Sequence, residues 1–563
     1  MDTAARDRSN EKLDAVVIGA GFSGLYSLYR LRDVLGLKAR AFDTAEDVGG
    51  TWYWNRYPGA RCDIESYWYS YSFDEDLQQE WTWSEHFADQ PEIQRYLSHV
   101  ADRFDLRRDI QLGTRVKSAI YDEDIRHWKV ETSDGNCVMA KFLISGLGNL
   151  SLPREPDFPG LSDFTGPVYW TARWPHESVD FTGKRVAVIG TGSSAIQAIP
   201  LIAEQAAHLI VFQRTANYAT PLQNRPLKPE ESAAIKAKYA ELRRMQREAF
   251  AGIPYQLEFE IRPSALADSE DEREVVFEER YAAGSFRLPY GSYLDVLTDL
   301  KANELASEFV RRKIRERVND PKGAEMLTPR SHPYGTRRTP FETNYYETFN
   351  RENVELIDAK KTPIVKATRK GLQTQEREFE VDVIIMAIGF DAMSGPLLNI
   401  DIRGRGGQTI QEKWQAGPLT YLGIATHGFP NMFIITGPQS PSVWYNMPSA
   451  IEDHVDFTSD CIAYMLEHGF ETCEARAEAE RNWVAHAKEE ADKTLVPTAD
   501  SYYMGTNIPG KPRSCMVYTG GAPKYRGICA DVVSNGYEGF EFKEEPIEDP
   551  RSTRRRPDKV EQS

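Results

Sequence analysis

Two glycine turns, each set between strands and a helix in the same frame, constrain this chain more than any other feature. Ala15 to Ile18 is an apolar run of strand length that leads into Gly19, Gly21 and Gly24. Leu25, Leu28 and Leu31 follow at helical spacing, then a second strand, Lys38 to Phe42, closed by Asp43. A GxGxxG alone marks many turns, but strand, glycine turn, helix, strand and acidic residue in this order describe a dinucleotide-binding βαβ unit. The glycines let a pyrophosphate approach the helix N-terminus, and the Asp43 carboxylate is placed to accept hydrogen bonds from a ribose.

The pattern recurs. Val186 to Ile189 form a strand, Gly190, Gly192 and Ala195 the turn, and Leu209 to Phe212 the next strand, which ends at Arg214 and Thr215. The interval from first glycine to strand-end residue is the same in both copies. A carboxylate at that point suits a free ribose hydroxyl, whereas a guanidinium suits a phosphate carried on it, so the second site is expected to prefer NADPH to NADH. Ser193 and Ser194 stand at the second helix start, where nucleotide phosphates would lie.

Two dinucleotide sites in one chain point to a flavin, FAD at the N-terminal turn, reduced by the nicotinamide nucleotide at the other. The expected fold class is α/β with two Rossmann-like domains. Phe142 to Gly146 and Val383 to Asp391 each read as a strand running into a glycine turn, and such strands can cross between nucleotide domains. The chain is therefore divided into an FAD domain of residues 1–145 and 388–540, an NADP domain of 150–220 and 333–385, and a helical insertion at 221–332. In the insertion Ile235, Tyr239, Leu242, Met245 and Ala249 recur at three- or four-residue intervals as one apolar stripe. Its expected role is to cover the NADP domain; walling a substrate cavity is the alternative. Residues 544–563, with Arg554, Arg555 and Arg556 among prolines and acids, read as a disordered tail.

Composition narrows the partners. A length of 563 residues exceeds one ordinary core, and a net charge of −17 argues against nucleic acid or an anionic membrane surface. No apolar run approaches the ~20 residues that span a bilayer, and MDTAARDRSNEKLD lacks the apolar core of a signal peptide, so a cytoplasmic location is expected. The six cysteines form no CxxC pair, which excludes zinc ribbons, disulfide frameworks and a dithiol redox centre. No metal site is expected. The oligomeric state is not legible, and a monomer is compatible with everything above.

Just past the first nucleotide turn lies GGTWYWNRYPGARCDIESYWYS, Gly49 to Ser70, dense in aromatics around Arg61 and Asp63. It falls where the chain would pass along a flavin ring. With Gly49, Gly50, Trp52, Tyr57, Pro58, Gly59 and Asp63 in order, the sequence resembles the Baeyer–Villiger flavin monooxygenases. A second family signature, FxGxxxHxxxWP, is matched by Phe164, Gly166, Trp174 and Pro175, with Trp170 at the histidine position. That departure bears on how the two nucleotide domains are coupled, not on the chemical step. Tyr334 to Arg338 resembles the segment carrying the family's active-site arginine, and SYYMGTNIPGKPR resembles its C-terminal loop with Tyr502 in place of tryptophan. The resemblance runs from Ala15 to about Gly536.

What the resemblance implies is an NADPH-dependent monooxygenase that places one atom of dioxygen next to a ketone carbonyl, through a flavin C4a-peroxide, to give an ester or lactone. Arg338 would be the catalytic cation and Asp63 its partner; Arg337 would hold the NADP phosphate. Ser23, Thr51, Trp52, Tyr69 and Met447 would join Gly19, Gly21, Gly24 and Asp43 around FAD, and Tyr502 would lie over NADP and substrate. Trp54, Trp68, Trp81 and Trp83 are left to core packing. Flavin monooxygenases acting on amine nitrogen or sulfide sulfur share both nucleotide folds but need no cation beside the oxygen donor. A redox-sensing flavoprotein would have no use for Asp63 with Arg338. The ketone itself, linear, cyclic, aromatic or steroidal, is not legible.

Overall fold

The first apolar run of the sequence becomes the middle of a sheet. In the computed structural model, which describes residues 11–544, Glu11–Ile18 is a strand whose last four residues are fully or almost fully buried. It pairs in parallel with Ala39–Phe42 on one side and with Cys137–Ser145 on the other. Ile110–Gln111 extends the sheet beyond Ala39–Phe42. On the far side the antiparallel strands His127–Thr132 and Val116–Asp122 follow, then Asp401–Arg403. Met432–Ile434 pairs in parallel with the end of Cys137–Ser145, so strands from both ends of the chain build one eight-stranded sheet.

The second glycine turn generates a second, wholly parallel sheet of five strands. Its order is Val354–Asp358, His208–Gln213, Arg185–Ile189, Val383–Met386 and Val168–Trp170. Strands buried on both faces read as continuous apolar runs, which is how Val186 to Ile189 and Val383 to Met386 appear in the sequence.

Each sheet carries its nucleotide helix. Phe22–Tyr29 packs against the long helix Met447–His468 in a core that contains Leu25, Leu28, Ile451, Val455 and Ile462. Beyond Tyr29 the helix widens into a π-turn, Arg30–Val34, that keeps Leu31 buried. Ser193–Gln205 covers the second sheet.

The residues between are helical: Pro229–Lys236, Tyr239–Glu248, Glu270–Ala283, Arg287–Gly291, Leu300–Arg317 and Pro321–Leu327. Val276, Phe277, Phe309, Val310 and Ile314 share one core with Val186, Val188 and Val211, so these helices cover the second sheet. The stripe read from Ile235 to Ala249 does not form one helix. The chain breaks at residues 237–238, and the buried face beyond the break includes Arg243 and Gln246 as well as Tyr239. Arg243 is tolerated inside because Ser70 Oγ, the Tyr71 carbonyl, Gln78 Oε1 and Gln246 Oε1 all accept from its guanidinium. The tail predicted over 544–563 lies, but for Glu544, outside the described residues. Among the described residues no helix is long and apolar enough to cross a membrane, and no cluster of His, Cys, Asp and Glu could hold a metal ion.

Candidate active site

The two glycine turns have the same geometry. Gly19 and Gly190 both take φ +109°, and a Cβ on either would lie 2.4 Å from the Gly146 carbonyl oxygen or 2.3 Å from that of Ala387. Only glycine fits between the turn and the neighbouring strand end, and the backbone is left bare at the start of each helix. Gly21 and Gly192 stand immediately before those helices, and Gly24 packs against the Gly19 carbonyl. Ser23 is buried, while Ser193 and Ser194 are half-buried in the first turn of theirs.

The strand-end residues diverge as the sequence indicates. Asp43 accepts from the Ala20 amide at 2.7 Å through Oδ2 and from the Ala45 amide at 2.8 Å through Oδ1. Burial raises its pKa, those backbone bonds oppose the rise, and each oxygen keeps lone-pair capacity for a ribose hydroxyl. Arg214 is exposed, 3.6 Å from Asp157, and Thr215 accepts from Thr191 Oγ1 through its carbonyl. Arg337 is the more sheltered cation. Burial lowers its pKa, Asp500 opposes that and the Arg214 charge adds to it, and its Nε has no partner among the described residues. Two neighbouring guanidiniums, one with an unused buried donor, fit a dianionic phosphate.

The aromatic stretch joins both turns. A Cβ on Gly21 would lie 3.2 Å from the Gly50 Cα, so Gly49 and Gly50 close over the first turn. Trp52 Nε1 donates to Tyr69 Oη at 3.1 Å, and the Tyr69 ring meets Phe22 edge-on at 5.4 Å. Thr51 is exposed at the start of the short helix Thr51–Trp54. Tyr57 Oη donates to Gln197 Oε1 at 2.9 Å, and Gly59, at φ +79°, leaves no room for a Cβ against the Gln197 carbonyl, 2.6 Å away. The same stretch thus touches the first nucleotide turn at one end and the second nucleotide helix at the other. Trp54 has a bridging place too: its carbonyl accepts from the Trp174 amide and Arg173 lies over its ring at 4.8 Å. Trp68 and Trp83 are core residues and Trp81 packs against that core. Trp170 ends its strand half-buried.

Asp63 and Arg338 meet although 275 positions separate them. Arg338 Nη2 donates to both Asp63 oxygens, at 2.6 and 2.7 Å, and Nη1 makes a long 3.4 Å contact with the Val443 carbonyl. Their side chains are 25% and 16% exposed. Burial would lower the Arg338 pKa, but Asp63 and the Tyr502 and Tyr503 phenols raise it well above the ordinary value, so the cation is permanent. A guanidinium carries five N–H donors, and the three contacts leave two without a protein acceptor among the described residues.

Arg338 lines a cavity walled by both apolar and polar side chains. Ile64, Phe286, Tyr290, Val443, Trp444 and Tyr503 contribute to its wall, together with Arg337, Arg338 and Thr339. Ala251, Ile253, Phe286, Pro289, Tyr290 and Leu297 come from the helical insertion, which therefore walls the cavity as well as covering the second sheet. Met447 starts the helix that follows Val443 and Trp444 and packs into two cores. Tyr502 is half-buried, its ring 4.6 Å from Tyr503. Its loop is latched down by Lys511 on Asp391 at 2.6 Å and Asn507 on the Phe390 carbonyl at 2.8 Å. Sequence reasoning missed Phe286, Tyr290, Trp444 and Tyr503. Nothing in their local pattern separates a cavity wall from a core.

Residues 12–222 match the family described as flavin-binding monooxygenase-like. An acetone monooxygenase (methyl acetate-forming) from Gordonia sp. (strain TY-5) is 43% identical over 535 residues, 94% of this chain and 99% of that protein. Among solved structures, an oxidized steroid monooxygenase bound to NADP is 50% identical, with a TM-score of 0.90 over 95% of this chain and 100% of that one. A cyclohexanone monooxygenase from Rhodococcus sp. Phi1 bound to NADP+ is 42% identical over the same shares, with a TM-score of 0.92. These relatives and neighbours show an FAD- and NADPH-dependent flavoprotein monooxygenase. Within that class the chain belongs to the Baeyer–Villiger monooxygenases.

Proposed function

We propose that this enzyme converts a ketone of largely apolar surface into an ester or lactone, with Arg338 as the catalytic cation and Asp63 as the residue that orients it. Overall, ketone, dioxygen, NADPH and a proton give ester, NADP+ and water. One oxygen atom enters the product, the other leaves as water, and NADPH supplies the two electrons. FAD, when bound, accepts the hydride and activates dioxygen. Gly19, Gly21, Ser23, Gly24, Asp43, Thr51, Trp52, Tyr69 and Met447 would hold it. Gly190, Gly192, Ser193, Ser194, Arg214, Thr215 and Arg337 would hold NADP, with Tyr502 above.

One observation carries the reading: the Arg338 guanidinium is paired with Asp63, keeps two N–H donors without a protein acceptor among the described residues, and lines a cavity with Ile64, Phe286, Val443 and Trp444. As a carbonyl carbon passes from trigonal to tetrahedral, negative charge grows on oxygen, and a fixed cation with preorganised N–H groups stabilises that growth. Because the guanidinium cannot release its proton at working pH, the site keeps this charge throughout the cycle. Ile64, Phe286, Tyr290, Val443 and Trp444 exclude water, which strengthens the interaction and shields reactive oxygen from hydrolysis. A neighbouring cation has no such use in N- or S-oxygenation. Six unpaired thiols fit a cytoplasmic location.

The test is turnover of a ketone panel with NADPH and 18O-labelled dioxygen, read by mass spectrometry. One label in an ester or lactone is the expected result. Label found only in amine or sulfide oxides would refute the proposal.

A further inference from the structure

Two residues after Asp63 stands a second buried carboxylate that the chemistry above does not use. Glu65 is 0% exposed, and its charge is met by Arg287, itself 7% exposed, with Nη1 2.9 Å from Glu65 Oε1. Arg287 is held in turn by Glu258, to which Nε and Nη2 donate at 2.6 and 2.9 Å. An ion pair withdrawn this far from water is costly, and an apolar pair of the same volume often serves stability as well. Its placement supplies the reason for keeping it.

Arg287 directly follows two insertion residues, Ser285 and Phe286, that contact the Asp63–Arg338 pair. Ser285 Oγ donates to the Asp63 carbonyl at 2.9 Å. The Phe286 ring lies under the Arg338 guanidinium, 5.3 Å from its central carbon, and also lines the cavity. Arg287 ties down Glu65 on the same loop as Asp63. Backbone, ring face and charge thus fix one loop and one cation from a single segment. Ser285 takes φ +52°, a conformation that non-glycine residues adopt at some cost. Burial raises the Glu65 pKa, and the Arg287 charge opposes the rise.

From this geometry we propose that Glu65 and Arg287 are positioning residues for the oxygenation step, acting through segment 285–287 to set the direction of the Arg338 guanidinium. The inference rests on Arg338 being the catalytic cation. A tilt of about 1 Å at a group that must meet a developing charge costs on the order of a hundredfold in rate. The expected effect therefore falls on product formation rather than on ketone binding, which depends on the apolar wall.

Glu65→Gln, Arg287→Met and Arg287→Lys are purified as holoenzymes and compared with wild type. Flavin content, thermal midpoint, anaerobic flavin reduction by NADPH, and ester formed per NADPH consumed are measured. Expected for Glu65→Gln is a fall of at least about tenfold in ester per NADPH and in kcat, with ketone KM within about twofold. Flavin content and reduction rate stay near wild type, and the midpoint falls less in Glu65→Gln, which leaves Arg287 on Glu258, than in Arg287→Met, which leaves Glu65 buried without a cation. Arg287→Met matches it, the double variant is no worse than either single one because the pair acts as a unit, and Arg287→Lys recovers part of the loss. An unchanged ester-to-NADPH ratio in Glu65→Gln overturns the inference. So does a loss that tracks flavin content or midpoint in all variants, since that marks a merely structural pair. If Glu65→Gln fails to fold, Ser285→Ala and Arg287→Lys decide on the same ratio. Arg338→Ala in parallel separates the two ideas: full ester formation there refutes the catalytic reading, whereas an inactive Arg338→Ala beside a normal Glu65→Gln refutes only the positioning role.

Discussion

Replacing Asp63 by alanine and by asparagine separates charge from orientation at the site. In the wild-type protein both N–H groups of Arg338 Nη2 end on Asp63, at 2.6 and 2.7 Å, around Ile64, Phe286 and Val443. Asp63→Ala leaves the guanidinium charged but unpaired. Breaking a fully buried pair costs about 3–5 kcal/mol; a quarter of the Arg338 side chain is exposed, which lowers the expected cost to about 2–3 kcal/mol. The freed guanidinium would swing toward other acceptors, and a misplacement of about 1 Å costs on the order of a hundredfold in rate. Asp63→Asn retains one acceptor of similar shape, so it should forfeit one charge-assisted bond, about 1.5–3 kcal/mol, and lose less activity than alanine. The assay is ester or lactone formed per second by gas chromatography, with flavin content and thermal midpoint as controls. The expected order is wild type, then asparagine, then alanine. A fully folded Asp63→Ala enzyme working at the wild-type rate would refute the reasoning.

Two further outcomes follow from other parts of the molecule. Arg337→Ala should raise KM for NADPH by about 10- to 100-fold, the loss of one charge-assisted phosphate bond, while KM for NADH changes by less than about twofold. An equal rise for both nucleotides in steady-state assays would remove Arg337 from the phosphate site. Glu452 accepts from Ser72 Oγ at 2.6 Å and from the Phe73 amide at 3.0 Å, and burial pushes its pKa up to about 7. Because the folded pKa lies above the unfolded one, its stabilising contribution is full below about pH 4.5 and is lost as pH rises through about 7, up to about 3 kcal/mol. Thermal midpoints at pH 5 and 8 should therefore differ less in Glu452→Gln than in wild type; an identical pH dependence in both would show that Glu452 stays ionised in the fold.

Local features were legible in the sequence and distant pairings were not. The glycine turns at Gly19 and Gly190 announce themselves because turn, strand and helix lie within about thirty residues, and the shared φ and the shared clash with a strand-end carbonyl follow from that spacing. Asp63 and Arg338 were paired through resemblance alone. No periodicity connects residues 275 positions apart, and a turn aspartate looks like any other. The apolar stripe from Ile235 to Ala249 suggested one helix, yet the segment breaks at 237–238 and buries Arg243, because acceptors on the distant segment Ser70 to Gln78 satisfy it. Nothing in the sequence sets Arg287 apart within its charged insertion. Only the fold brings it to Glu65.

A permanently charged guanidinium at residue 338 drives oxygen transfer in the proposed reaction. Its most direct test is single-enzyme turnover of Arg338→Ala, loaded with FAD and NADPH, on a good ketone under 18O-labelled dioxygen. Labelled ester should form at least two to three powers of ten more slowly, about 3–4 kcal/mol, while NADPH is still consumed and its electrons appear as hydrogen peroxide. Labelled ester at the wild-type rate from a folded, flavin-replete Arg338→Ala enzyme would contradict it.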